Sequence, residues 1–208
     1  MTLRWASTQN SSMGKEKGPL FQIACVATVL MLVFGFVGNG PSTYRFAILF
    51  LGPFLWGVYA ARRALCLDPI GFAFFATALL VHDLGAFGTY GHFYFNLEFD
   101  TYVHYFFGMA GALVIARALH CRFELNGWRL WVGAVLLIMG IGALHELMEW
   151  VSTMLLGSKG MLKLNDPDIF DTQKDLGNNF LGSLTAMLLY TVIVPWVRRG
   201  KSPTKTAS

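Results

Sequence analysis

The stretch from Gly142 to Trp150, GALHELMEW, places one histidine and two glutamates inside an apolar segment that runs from residue 130 to residue 156. A segment of this length is sufficient to cross the hydrocarbon core of a bilayer, which takes about 20 residues. Charged groups are costly in hydrocarbon and are rarely kept there without a use. The stretch therefore predicts a transmembrane helix that carries part of a polar functional site.

The whole chain has the composition of a polytopic membrane protein. Of its 208 residues, 55% are hydrophobic and only 13% are charged, and the mean hydropathy is +0.51. We expect an all-α fold, a bundle of six transmembrane helices within residues 20–197, between a disordered cytoplasmic tail at 1–19 and a basic cytoplasmic tail at 198–208. The predicted spans are residues 20–38, 44–61, 70–89, 101–119, 130–156 and 176–197.

Charged residues predict the orientation of this bundle. If both termini are cytoplasmic, 12 of the 16 lysines and arginines lie on the cytoplasmic side, in agreement with the positive-inside rule. Nine of the 12 acidic residues then lie toward the other side, which indicates a site that faces outward. The cysteines Cys25, Cys66 and Cys121 fall near the cytoplasmic side, where no disulfide bond is expected.

Polar side chains from four predicted helices lie at one depth. His145 lies about 21 Å along its helix from Trp131, and His82 lies about 21 Å from Asp68, at the helical rise of about 1.5 Å per residue. His104 and Asn179 lie about one turn inside their helices, counted from the outer surface. Because lipid cannot solvate these groups, we expect them to face one another inside the bundle.

The acidic side chains give this layer an excess of negative charge, which either protons or a bound cation must offset. Imidazole and carboxylate ligands together suit zinc, iron or manganese, and two ligands four residues apart on one helix share a face. We therefore predict a site for a divalent or trivalent metal ion. The candidate ligands are His82, Asp100, His104, His145, Glu149 and Asp171.

Several of the polar residues in this layer also have a simpler interpretation. His82 alone would be a hydrogen-bonded core histidine, and Asp171 and Asp175 suit the first turn of a helix. Asn178 and Asn179 can bridge helices. The aromatic segment after the third span is typical of an interfacial belt.

Four blocks of sequence together resemble the bacterial YjdF-type inner-membrane family: HDLGAFGTYGHFY (82–94), FDTYVHYFFG (99–108), HELMEW (145–150) and DTQKDLGNNFLG (171–182). That family has no assigned biochemical function, so the resemblance implies a fold and a multi-pass location in the bacterial inner membrane. The last block also resembles VanZ-like membrane proteins, which are linked to glycopeptide resistance and the cell envelope. This shorter resemblance implies an envelope or lipid substrate.

Three functions are compatible with these residues. The first is a metal-dependent hydrolase or transferase acting on a lipid-linked or other envelope substrate, with Glu146 or Asp175 as general base and with Tyr90, Asn178 and Asn179 binding substrate. An intramembrane protease is a weaker variant, because HELMEW lacks the last histidine of the HExxH pattern.

The second function is an ion- or proton-coupled transporter that uses the same groups to relay charge. It would need a polar path to the cytoplasm, and the inner halves of the predicted helices offer almost none. The third is a non-catalytic scaffold subunit of a membrane assembly. The lipid bilayer is the expected partner, and a nucleic-acid partner is not expected because the basic residues form no stripe. The residues do not decide the oligomeric state.

Overall fold

The computed structural model describes residues 5–38, 48–156 and 169–199, and these residues form six α-helices. In chain order the helices are α1 (Trp5–Val37), α2 (Ile48–Ala60), α3 (Pro69–Asp83), α4 (Phe99–Phe123), α5 (Gly127–Leu156) and α6 (Ile169–Arg199). Short 3₁₀ helices follow α2 at Ala61–Arg63 and α3 at Leu84–Phe87. Strands β1 (Phe93–Tyr94) and β2 (Leu97–Glu98) form a small antiparallel hairpin before α4. The predicted all-α fold is confirmed for this part of the chain.

Among the described residues, three segments are long and apolar enough to cross a membrane, namely Gly18–Val37, Phe99–Phe123 and Gly127–Met148. Helix α2 has 13 residues and α3 has 15, so each is shorter than the roughly 20 residues of a full span. The predicted second span also includes residues 44–47, which lie outside the described residues. That all six helices cross the membrane, with both termini in the cytoplasm, stays a prediction.

Helix α1 begins before the predicted first span. Residues 5–19 are helical, where the sequence predicted a disordered tail. A helix that is already nucleated in the apolar segment extends without a second nucleation cost, so a polar neighbour can join it. Helix α6 likewise begins at Ile169, so that the acidic stretch before residue 176 forms its first turns. Residues 1–4 and 200–208 of the predicted tails lie outside the described residues.

Helix α4 is the centre of the bundle, because it packs against α3, α5 and α6. Its most extensive contact is with α6, and two glycines allow it. A Cβ atom on Gly108 would meet the backbone of Asn179, and one on Gly182 would meet the carbonyl oxygen of Tyr105. Gly108 therefore lets the two helix backbones approach closely, and this contact brings the polar first half of α6 beside His104.

Helix α3 begins at a well-defined cap. The carboxylate of Asp68 accepts a hydrogen bond from the backbone N–H of Gly71, at 2.7 Å, and Pro69 occupies the first helical position. Phe72 and Leu79 of α3 then pack in a buried core with Met31 of α1. This packing fixes the helix that carries His82 in its last turn.

Cys66 and Cys121 form a disulfide bond, so the expectation that the cysteines do not pair is wrong. The loop between α2 and α3 meets the C-terminal end of α4 there. Arg117 and Arg122 of α4 donate hydrogen bonds to the carbonyl oxygens of Cys66 and Ala64 in the same loop. The two cysteines are 55 residues apart in sequence, and only the packing of α4 brings them together.

Candidate functional site

Three imidazole rings meet where α3, α4 and α5 come together. The ring centroids of His82 and His145 are 5.8 Å apart, and those of His104 and His145 are 6.1 Å apart. We call these three residues the histidine cluster. The structure thus brings together the three histidines that the sequence placed at one depth.

A cavity of about 340 Å³ lies beside the histidine cluster. Its polar lining consists of the histidine cluster and Asn179, and the rest of its wall is apolar. The apolar side chains come from four helices and include Phe50, Phe54, Leu79, Phe107, Leu144 and Met148. The cavity therefore has one polar patch in an otherwise apolar wall.

Part of the cavity wall, on α2 and α5, is exposed. Its lining residues Phe50, Leu144 and Met148 are 46%, 62% and 53% exposed. Within the described ranges, α2 and α5 do not pack extensively against each other.

Two carboxylates lie on the other side of His104. The Nε2 atom of His104 is 3.6 Å from Oδ1 of Asp100 and 3.5 Å from Oδ2 of Asp175. One potential ligand atom from each of these residues lies within 4.8 Å of the others. His104 and Asp175 are buried. We call Asp100, His104 and Asp175 the Asp–His triad.

Lys174 is a residue of the site that the sequence reasoning missed. Its Nζ atom lies 2.8 Å from Asp171, 2.9 Å from Glu98, 3.5 Å from Asp100 and 3.9 Å from Asp175. Burial lowers the pKa of Lys174, but the hydrogen bonds to Asp171 and Glu98 and the neighbouring charges outweigh it. The net pKa of this side chain, which precedes the predicted sixth span, lies above its ordinary value. Its signal in the sequence is a single basic residue inside the acidic block 171–175.

The loop before α4 holds His82 in place. The hydroxyl group of Tyr90 donates to the carbonyl oxygen of His82, at 3.3 Å, and lies 3.1 Å from Nδ1 of the same residue. When Nδ1–H donates to the Tyr90 oxygen, Nε2 of His82 is the proton-accepting nitrogen. The ring of Tyr90 packs directly on Gly85, where a Cβ atom would overlap it. Tyr90, predicted to bind substrate, thus contacts a histidine of the site.

The remaining predicted site residues fall in different places. Asp171 contacts Lys174 at the rim of the triad. Glu146 is buried. Asn179 lines the cavity with its Nδ2 atom 3.4 Å from Nδ1 of His104. The amide nitrogen of Asn178 is buried and has no hydrogen-bond partner in the described ranges, and the side chain of Glu149 lies outside them.

Fold and site together define an integral membrane protein with a buried polar site in a helical bundle. The chain belongs to the family described as Predicted membrane protein (DUF2238), whose model matches residues 20–195. Comparisons with curated proteins and with solved structures give no match. The family agrees with the resemblance to membrane proteins of unknown function, and it names no reaction.

Proposed function

We propose that this protein is a metal-dependent hydrolase or transferase whose substrate is a lipid-like molecule in the cavity. The metal ion would be bound by the Asp–His triad. The observation that carries the proposal is the position of His104, which belongs both to the triad and to the cavity wall. A reacting group at the polar end of an amphiphile would therefore lie beside the metal ion.

The spacing of the triad supports a metal ion. Two ligands about 2.0–2.1 Å from a zinc ion, at a tetrahedral angle, lie about 3.3–3.4 Å apart. The separations of 3.6 and 3.5 Å from His104 to the two carboxylates are close to that value. A direct N–H···O hydrogen bond prefers a shorter distance of about 2.9 Å.

The side-chain amide of Asn179 can hold His104 in the tautomer that binds a metal ion, in which Nε2 carries no proton. With its nitrogen toward Nδ1 of His104, the amide oxygen of Asn179 has no hydrogen-bond partner in the described part of the chain. With the amide turned round, Nδ1–H of His104 donates to that oxygen, and Nε2 faces the carboxylates without a proton. This second orientation satisfies the buried oxygen and leaves Nε2 able to bind a metal ion.

The shape of the cavity indicates the substrate class. An apolar chain would pack against the side chains of Phe54, Phe107 and their neighbours, with its ester or phosphoester group beside the histidine cluster. A bound metal ion would polarise the carbonyl or phosphoryl oxygen of that group. Glu146 or a cavity histidine would take a proton from the attacking water or alcohol, and the same proton would then pass to the leaving oxygen.

Metal analysis of the purified protein tests the proposal. After loading with Zn²⁺, Mn²⁺ or Fe²⁺ and removal of the excess, we expect near-stoichiometric metal in the wild-type protein. His104→Ala and Asp175→Asn should lose it, because the first removes a ligand and the second replaces a charged carboxylate by a weakly binding neutral amide. His120→Ala is the matched control, since His120 lies in the last turn of α4, where its ring contacts the carbonyl oxygen of Leu125. A wild-type protein that contains no metal and cannot be reloaded would contradict the proposal.

The reaction is tested in bilayer nanodiscs made from a bacterial lipid extract. We expect the metal-loaded wild-type protein to convert a lipid component into products that mass spectrometry detects. The His104→Ala variant should yield none of these products, and the His120→Ala control should yield them at the wild-type rate. Product formation that is equal in all three proteins would contradict a role of the triad in the reaction.

An ion- or proton-coupled transporter is the second candidate function. The observation that favours it is the burial of the Asp83 carboxyl group. This carboxyl group is completely buried beside His82 in the sequence, and neither oxygen has a hydrogen-bond partner among the described residues. Ionisable groups of this kind occur in the charge relays of pumps. Proteoliposomes with an internal pH dye would show proton flux that Asp83→Asn abolishes if this second candidate is correct.

A further inference from the structure

Lys174 and His104 share the two carboxylates of the triad without competing for the same atoms. Asp100 presents Oδ1 to His104 and Oδ2 to Lys174. Asp175 presents Oδ2 to His104 and Oδ1 to Lys174. The ammonium group therefore lies behind both carboxylates, on the oxygens that do not face His104.

The ammonium group is held more closely by two other carboxylates. It lies 2.8 Å from Asp171 and 2.9 Å from Glu98, against 3.5 and 3.9 Å from Asp100 and Asp175. Asp171 precedes it by one turn of α6, and Glu98 ends the hairpin before α4. If a metal ion attracts the triad carboxylates, Lys174 still keeps two charged partners. The ammonium group of Lys174 can therefore lose its contacts with the triad carboxylates and still remain paired.

We infer that Lys174 is a built-in counter-cation, which stabilises the metal-free site and weakens the binding of the metal ion, so that the metal exchanges. This inference rests on the proposed function, because it assigns a regulator to the same metal site. A fixed positive charge a few ångströms from a divalent cation opposes its binding. Without the ammonium group, the four surrounding carboxylates attract the metal ion more strongly.

The experiment is a Zn²⁺ titration of the purified full-length protein in detergent, with a competing chelator to set the free metal concentration. Lys174→Gln removes the charge and keeps a hydrogen-bonding side chain, whereas Lys174→Arg keeps the charge. We expect Lys174→Gln to lower the Kd for Zn²⁺ by about tenfold or more, as loss of a neighbouring positive charge implies. Lys174→Arg should bind Zn²⁺ as the wild-type protein does.

Thermal unfolding gives a second measurement. Lys174→Gln should lower the Tm of the metal-free protein, because four carboxylates lose their counter-charge, and Zn²⁺ should raise its Tm by more than it raises that of the wild-type protein. A Lys174→Gln protein that folds and binds Zn²⁺ with equal or weaker affinity would overturn the inference and leave the metal site standing. Absence of binding of Zn²⁺, Mn²⁺ and Fe²⁺ in all three proteins would instead overturn the proposed function, and the inference with it.

Discussion

Among single residues, Asp83 has a carboxyl group whose burial is energetically costly. A buried polar group without a hydrogen bond costs about 1–3 kcal/mol, and an unpaired buried charge costs more. Both oxygens of Asp83 are buried, and neither has a hydrogen-bond partner among the described residues. The side chain lies at the last residue of α3, next to His82, so it is close to the site without belonging to the triad.

Asp83→Asn should leave the Tm unchanged or raise it, because asparagine has nearly the same shape and no charge to desolvate. Thermal unfolding in detergent, followed by tryptophan fluorescence, measures the change. A fall in Tm of the size caused by loss of a buried ion pair would show that the carboxylate has a stabilising partner.

Single residues also show where prediction from the sequence stopped. His82, His104 and His145 could be placed at one depth from helical rise alone. Lys174 could not be placed in the site, because nothing local to residues 171–175 reveals that Glu98 and Asp100, from another helix and its cap, surround its ammonium group.

At the scale of elements, the contact between α4 and α6 positions the site. Gly108 lies against the backbone of Asn179, and the residues of α6 that reach His104 are within one turn of that contact. Small residues let helix backbones approach in a membrane, where packing rather than the hydrophobic effect holds helices together. The same glycine therefore serves both stability and the geometry of the triad.

Gly108→Ala should lower the free energy of unfolding by about 1–3 kcal/mol, the usual cost of overpacking a well-packed contact. It should also weaken metal binding, because α6 must move away from His104. Unfolding in detergent and a Zn²⁺ titration measure the two effects.

Gly177→Ala is the matched control for this variant. It lies on the same helix α6, and a Cβ atom there would meet nothing within 4 Å. It should leave both quantities unchanged or increase stability, since alanine favours a helix. Equal effects of the two substitutions would show that the close approach at Gly108 is unimportant.

At the scale of the whole molecule, the Cys66–Cys121 disulfide bond joins the loop after α2 to the end of α4. This end also carries the ion pair between Arg117 and Asp68, the residue that caps α3. Three helices are thus tied together at the end of the bundle away from the site. The disulfide bond and the histidine cluster lie at opposite ends of α4, so one can be removed without touching the other.

Replacement of both Cys66 and Cys121 by serine should reduce stability. A cross-link that closes a loop of 55 residues contributes up to about 4 kcal/mol in the chain-entropy model. Unfolding measurements should show this loss, with Cys25→Ser as the control. Maleimide labelling of the unreduced wild-type protein should modify Cys25 alone, and labelling of all three cysteines before reduction would show that the bond is absent.

The sequence by itself determined the helical membrane character of this chain and the common depth of its histidines. Both depend on local properties, the length of apolar runs and the rise of a helix. Only the tertiary structure decided that Asp175 lies beside His104, that Lys174 lies behind Asp100 and Asp175, and that Cys66 meets Cys121. Those contacts depend on how each helix is rotated about its axis and on which helices pack together, and packing acts between residues far apart in the sequence.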